Sequence, residues 1–135
     1  MNYKMMVLDI DGTLMRKGCP QATHRRATAA KALHKKRASA APATGRTYFA
    51  MSGGILNGIR PDYAICSNGA QVLDQKGNVL ASRTMTPEEM YALVDYCEDY
   101  DDALCFCFED GYYAYVGYET IRQFYQTATG HGEHV

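Results

Sequence analysis

Two carboxylates near the amino terminus are the side chains of this sequence best suited to chemistry. Asp9 and Asp11 follow the apolar run from Met5 to Leu8, and Gly12 and Thr13 come next. A short apolar run that ends at a glycine turn is typical of a buried strand. Both carboxylates are therefore predicted at the carboxyl end of a strand, where open α/β sheets bind their ligands. One carboxylate can then attack an electrophile while the other transfers protons.

An isolated Asp-x-Asp-Gly string has a simpler interpretation, because Asp-Gly is a common turn. Two further strings argue for function. Thr44, Gly45 and Arg46 form the first of these, and the second runs from Ile65 to Ala70 as Ile-Cys-Ser-Asn-Gly-Ala. Each string alone also fits a simple turn. The order and spacing of all three together are much more specific than any one of them.

Together, the three strings resemble the haloacid dehalogenase (HAD) superfamily, in its Cof-type phosphatase branch. The resemblance implies an α/β fold: a partial HAD Rossmann-like core, in which helices cover a parallel sheet, followed by the beginning of an α/β cap domain. The expected core covers residues 1–82, and the expected partial cap covers residues 83–135.

The same resemblance implies a Mg2+-dependent phosphatase of small phosphorylated metabolites. Asp9 matches the nucleophile of the family, which forms an aspartyl-phosphate, and Asp11 matches its general acid and base. Both are expected to bind Mg2+, Asp9 through its carboxylate and Asp11 through its backbone carbonyl. The residues expected to bind phosphate or substrate are Gly12, Thr13, Thr44, Gly45, Arg46 and Asn68.

Local physical chemistry supports phosphate binding by the Thr44 loop. The Thr44 hydroxyl and the backbone N–H that follows it are neutral donors, which suit an anion where carboxylates already crowd the site. A helix predicted to begin near Thr47 would point its positive end at the same anion. For Asn68, an Asn-Gly turn explains the residue equally well as a substrate contact.

Local patterns predict most of the remaining elements of the first half. Alanine, lysine and arginine favour a solvated helix from Ala22 to Lys36. Two strands joined by a tight turn are predicted at residues 71–74 and 79–82.

The second half shows a helix start and a hairpin. Thr86, Pro87 and Glu89 have the types and spacing of an N-cap, a first helical residue and a capping-box acid. The helix is expected to run to about Tyr100. Strands at residues 103–108 and 112–116 form a predicted hairpin, and a further helix is expected from about Glu119.

The stretch from Arg16 to Pro42 departs from the family pattern. It holds eight of the fourteen Lys and Arg residues, and no Asp or Glu lies between Asp11 and Asp62. Residues 37–42 read Arg-Ala-Ser-Ala-Ala-Pro, which is a poor buried strand where the family has a strongly apolar one. Three interpretations stay open: a solvated helix, which is the simplest, a nucleic-acid-binding patch, and a local shift of the reading frame.

Length is the second departure. The 135 residues end inside the expected cap, so a later Lys and a Gly-Asp-rich metal motif of the family are missing. Mg2+ held by Asp9 and Asp11 alone would bind weakly, and charge in the transition state would stay uncompensated. An uncovered sheet edge would favour pairing with a second copy. The sequence is interpreted either as a piece of a longer protein or as a truncated gene product.

Composition fits a soluble, cytoplasmic domain. No apolar stretch approaches the roughly 20 residues of a membrane span, and the amino terminus lacks a signal-peptide pattern. The five cysteines are odd in number and lie among apolar neighbours, which favours reduced, buried thiols.

Three functions therefore stay open. The first is a phosphatase that acts through Asp9 and Asp11 on a small phosphorylated metabolite. The second is a catalytically weak or inactive remnant that binds phosphate or metal, or associates with itself. The third is a nucleic-acid-binding module, against which the formal net charge of −1 and the absence of aromatic residues in the basic stretch argue.

Overall fold

The computed structural model describes residues 3–51 and 54–129, with side chains described as far as residue 124. The strands are β1 Met5–Asp9, β2 Ser39–Ala43, β3 Tyr63–Cys66, β4 Gln71–Asp74, β5 Val79–Ser82, β6 Leu104–Cys107 and β7 Tyr112–Val116. The α-helices are α1 His24–Lys35, α2 Pro87–Tyr100 and α3 Tyr118–Thr129. Contacts within the chain define two units, one as far as Arg83 and one from Thr84 onward.

The first unit contains a five-stranded sheet in the order β1-β2-β3-β4-β5. The pairs β1–β2 and β2–β3 are parallel, whereas β3–β4 and β4–β5 are antiparallel. Helix α1 connects β1 to β2 and packs against β2, as the crossover between two parallel strands requires. This sheet with its helix confirms the predicted α/β class and Rossmann-like core. The predicted helix over residues 22–36 is also confirmed.

Strand β2 is buried, so the expectation that residues 37–42 make a poor buried strand was wrong. Ala40 and Ala41 are each only 1% exposed. The buried residues of α1 are also alanines, Ala27 and Ala30. Small side chains on both elements allow helix and strand to approach closely, and close packing does not require large residues there.

Strand β1 forms as predicted, but the expectation that it is buried was wrong. Met5, Met6 and Val7 are 45%, 43% and 53% exposed. The reason is topological: β1 lies at one edge of the described sheet and pairs only with β2. An apolar sequence that suits a central strand thus occupies an edge strand of this chain.

The core of the first unit gathers residues from the loops and strands around the sheet. Its members include Ile10, Leu14, Met15, Ile59, Cys66 and Leu73. Ile10 and Cys66 are the largest side chains that are completely buried. Ile10 follows the last residue of β1, and Cys66 is the last residue of β3. The core therefore anchors the carboxyl ends of two strands.

The helix expected from Thr47 does not form in the described residues. A three-residue 3-10 helix at Phe49–Met51 takes its place, and residues 54–61 contain no helix. Gly54, Asn57 and Gly58 all have positive φ angles, which do not continue a right-handed helix. The positive helix end that was expected beside Thr44 is therefore absent from the described part of the chain.

The second unit contains α2, the hairpin of β6 and β7, and α3, as predicted. At the start of α2, the Glu89 N–H donates to Thr86 Oγ1 over 3.2 Å, and the Thr86 N–H donates to Glu89 Oε2 over 2.8 Å. This reciprocal pair confirms the predicted capping box. Among the described side chains of this unit, only Cys97 and Ile121 are buried hydrophobic residues.

The cysteines follow their prediction in part. All five are free. Cys66 and Cys97 are buried, Cys19 and Cys105 are partly buried, and Cys107 is exposed. No described helix is long and apolar enough to cross a membrane.

Candidate active site

Three parallel strand ends bring the three sequence strings together. In the register of the sheet, Asp9 at the end of β1 lies beside Ala43 at the end of β2. Ala43 in turn lies beside Ile65 of β3. The residues that follow these positions leave the sheet at the same edge, the carboxyl edge of the parallel strands. Open α/β sheets bind ligands at this edge.

The loop after β1 exposes two carboxylates on either side of a buried anchor. Ile10 is completely buried, whereas Asp9 and Asp11 are exposed. The Leu14 N–H donates to the Asp9 carbonyl over 3.2 Å, so the chain turns back directly after the strand. Gly12 has a φ of +86°, which a glycine adopts without strain. The turn predicted from Asp-Gly therefore forms, and it leaves both carboxylates at the surface.

Asp11 is held by an arginine from a different loop. Arg46 Nε donates to Asp11 Oδ2 over 2.8 Å, and Arg46 Nη2 donates to Asp11 Oδ1 over 2.7 Å. This two-pronged pairing is the strong geometry of arginine with a carboxylate. The hydrogen bond from Arg46 lowers the pKa of Asp11, its positive charge adds to that effect, and partial burial of the carboxyl opposes it. Asp11 is accordingly held as a carboxylate in this state.

The loop that follows β2 is fixed by its own hydroxyl and by the neighbouring strand. Thr44 is 7% exposed, and its N–H donates to the Ile65 carbonyl over 2.9 Å. The Arg46 N–H donates to Thr44 Oγ1 over 3.2 Å. The Ser67 N–H donates to the Arg46 carbonyl over 2.9 Å. Backbone contacts with the loop after β3 thus position the threonine and the arginine.

Asn68 lies directly against this loop. Its N–H donates to the Thr44 carbonyl over 3.1 Å, and its φ of +55° is left-handed, a conformation that Asn tolerates better than most residues. A Cβ added to Gly45 would lie 3.0 Å from Asn68 Oδ1. Gly45 therefore leaves room for the Asn68 amide. Asn68 both forms the Asn-Gly turn and contacts the loop that carries Thr44 and Gly45.

The chain matches a known protein family. The family model described as haloacid dehalogenase-like hydrolase matches residues 6–133. The chain belongs to this HAD-like hydrolase family. No curated protein sequence matches it at a significant level.

Solved structures share the HAD-like fold with this chain. One is a phosphatase of the haloalkanoate (HAD) superfamily from Bacteroides thetaiotaomicron, with a TM-score of 0.79 and 21% identity over 91% of this chain and 45% of that one. A HAD/COF-like hydrolase from Plasmodium vivax has a TM-score of 0.78 and 20% identity over 99% of this chain and 50% of that one.

A third similar structure is a sugar phosphatase of HAD subclass IIB. Its TM-score is 0.77, and its identity is 23% over 94% of this chain and 49% of that one. The HAD-like chain thus spans about half the length of the solved structures that it matches.

Magnesium is the metal that the HAD family implies. The described residues contain no group of three or more His, Cys, Asp or Glu side chains that could hold a metal ion. Asp9 has an exposed carboxylate, and Asp11 can offer its backbone carbonyl, since its carboxylate already binds Arg46. Both are hard oxygen donors, which suit Mg2+ when water and substrate phosphate complete the coordination. These donors are compatible with a magnesium ion, which the chain would hold through few protein ligands.

The structure brings together most of the residues that the sequence singled out. Gly12 and Thr13 lie exposed in the loop that carries Asp11. The Arg46 side chain binds Asp11, a contact that the prediction of phosphate binding did not foresee. Ser67, which fixes the Arg46 carbonyl, was also missed. Opposite charges that follow adjacent parallel strands were the available signal for the first contact, whereas no sequence pattern indicated the second.

Proposed function

We propose that this HAD-like chain is a Mg2+-dependent phosphatase of small phosphorylated metabolites that acts through an aspartyl-phosphate on Asp9. The observation that supports the proposal best is the parallel register in which Asp9 lies beside Ala43 and Ala43 beside Ile65. It aligns an exposed carboxylate with the two loops that carry Thr44 and Asn68. Carboxylates are established nucleophiles in covalent catalysis.

In this proposal, Asp9 attacks phosphorus, and the bond between phosphorus and the leaving oxygen breaks. Asp11, which takes up a proton from solvent when substrate binds, gives that proton to the leaving oxygen and becomes a carboxylate. Asp11 then removes a proton from water, which attacks the aspartyl-phosphate, releases inorganic phosphate and restores the Asp9 carboxylate. Mg2+, held by the Asp9 carboxylate and the Asp11 carbonyl, would offset negative charge between the nucleophile and the phosphate.

Thr44 and Arg46 have the groups to bind the transferring phosphoryl. The Thr44 hydroxyl sits on a loop fixed by hydrogen bonds to the Ile65 and Asn68 backbone. Donors that are already oriented before substrate arrives need little reorganisation during the reaction. The sugar phosphatase of subclass IIB shares the fold, which supports sugar phosphates as the first substrates to assay.

The test is release of inorganic phosphate from sugar phosphates, nucleotides and an aryl phosphate, with Mg2+ and with chelator. Asp9→Asn should abolish turnover without unfolding the chain. Asp95→Asn is the matched control, because it makes the same chemical change at an exposed position of α2. Equal turnover of Asp9→Asn and wild type would overturn the proposal.

The alternative function is a weak or inactive remnant that binds phosphate or metal. The small number of oxygen ligands in the described residues favours this alternative. It predicts no turnover at any Mg2+ concentration while the folded chain still binds inorganic phosphate, which a 31P titration measures.

We also propose that the exposed edge of β1 pairs with a second copy of the chain. Apolar side chains at an unpaired strand edge favour such pairing, and Val7 is 53% exposed. Val7→Lys should shift sedimentation from dimer to monomer. Val79→Lys, on the opposite edge strand β5 and also exposed, should leave the dimer intact. A monomeric wild-type chain at high concentration would refute this pairing.

A further inference from the structure

The bidentate contact between Arg46 and Asp11 joins two loops to which the proposed function gives different roles: proton transfer by Asp11 and phosphate binding by Arg46. Its two hydrogen bonds, of 2.8 and 2.7 Å, involve both oxygens of the Asp11 carboxylate. The Asp11 side chain is 51% exposed, whereas that of Arg46 is 13% exposed. The arginine is thus a largely buried group that fixes the orientation of a more accessible one.

The backbone of Arg46 does not need to move for its side chain to change partner. Its N–H donates to Thr44 Oγ1 and its carbonyl accepts from the Ser67 N–H. These contacts fix the loop independently of the guanidinium. The exposed side of the pair is Asp11, so an anion that arrives from solvent can compete for the guanidinium.

A general acid must place one carboxyl oxygen at hydrogen-bond distance from the leaving oxygen of the substrate. Both Asp11 oxygens are directed at the guanidinium instead. A phosphate presents oxygens with a similar spacing and a higher charge, and arginine binds it in the same two-pronged way. Phosphate is therefore a suitable replacement for the carboxylate.

We propose that Arg46 exchanges partners: it binds Asp11 in the free protein and the phosphate of the substrate in the complex. The exchange frees the Asp11 carboxyl to turn towards the leaving oxygen only when a phosphate is bound. This inference rests on the proposed phosphatase function for its role in turnover, but the exchange itself concerns phosphate binding alone.

The direct test is affinity for inorganic phosphate in the presence of chelator. If phosphate must displace Asp11, Asp11→Asn removes the competitor and should bind phosphate about tenfold more tightly, the order expected for one charge-assisted hydrogen bond. Asp9→Asn removes the same charge two residues away, at the end of β1, but leaves the Arg46 contact in place, so its gain should be clearly smaller. Equal gains in the two variants would overturn the exchange.

A spectroscopic readout follows the arginine itself. The Arg46 Nε–H resonance, assigned by its loss in Arg46→Lys, should shift in a saturable way as inorganic phosphate is added. In Asp11→Asn it should start at a different position and move towards the same bound position. A resonance that does not change at saturating phosphate would contradict the exchange.

Kinetics separate the exchange from a fixed orienting role. Arg46→Gln should raise KM strongly, because the phosphate of the substrate loses its guanidinium partner. A fixed orienting role predicts the opposite: a lower kcat with KM unchanged. If the wild type turns over no phosphate ester, the proposed function fails, but the affinity and resonance measurements still decide the exchange.

Discussion

The two units of the chain maintain their structure in different ways. The first, as far as Arg83, has a hydrophobic cluster in which Ile10, Cys66 and Leu73 are at most 3% exposed. The second exposes much of its apolar surface: Tyr91 is 71% exposed and Phe124 66%. The candidate active site belongs to the first unit, where buried residues anchor the strand ends. The proposed chemistry needs fixed positions, and packing supplies them in the first unit. The second unit depends more on local features such as a helix cap and a hairpin.

The largest expected difference between the units is the effect of truncating a leucine. Leu73→Ala should destabilise the first unit by about 2–5 kcal/mol, because Leu73 is buried in the cluster and leaves a cavity. Leu93→Ala in α2 should cost less than about 1 kcal/mol, since Leu93 is 39% exposed. Hydrogen exchange resolved by segment measures both. Equal losses would mean that the second unit has a core as dense as the first.

Cysteine reactivity should separate the units in the same direction. Burial raises the pKa of Cys66 from 9.0 to about 11, so its thiolate fraction near neutral pH falls about a hundredfold. Cys107 is exposed. Iodoacetamide should therefore label Cys107 well before Cys66, as peptide mapping would detect. Rapid labelling of Cys66 would contradict the burial of the β3 end.

The pKa of Cys66 also gives a stability effect with a defined sign. The folded thiol holds its proton more tightly than the unfolded one, so stability from this group is complete below pH 9. It is lost as pH rises from about 9 to 11, through the folded pKa. Cys66→Ser should remove this alkaline component, which urea denaturation across that pH range would measure.

The smallest effect concerns the helix cap of the second unit. Thr86→Ala removes the side-chain acceptor of the Glu89 N–H and should destabilise α2 by about 1 kcal/mol. Thr86→Ser keeps the hydroxyl and should lose much less. Exchange of the amides in the first turn of α2 is the measurement. No difference between the two variants would show that the capping box contributes nothing measurable.

The sequence predicts elements best where residues close together in the chain determine the structure. The capping box of Thr86 and the turn between β4 and β5 follow from neighbouring residues. The Asp74 carboxylate, which accepts from the Lys76 and Asn78 N–H groups, shows how local that turn is. Such elements can be predicted without knowing which residues pack against them.

Prediction was wrong where tertiary packing decides. Ala40 and Ala41 are buried although their side chains are small, and α1, whose buried residues are also alanines, packs against β2. The sequence of β2 alone does not show what packs on it. The exposure of Val7 depends on its place at a sheet edge. The pairing of Arg46 with Asp11 joins residues 35 positions apart. The strings could be located from sequence, but their mutual contacts could not.

The most direct test of the proposed phosphatase mechanism is to trap a phosphoryl group on Asp9. The chain is incubated with a sugar phosphate and Mg2+, quenched in acid, reduced with borohydride and mapped by mass spectrometry, since borohydride reduces an acyl phosphate but not a free carboxylate. Reduction is expected at Asp9 in the wild type, and none at Asp9 when the sugar phosphate is omitted. Phosphate release without any modification of Asp9 would contradict an aspartyl-phosphate mechanism.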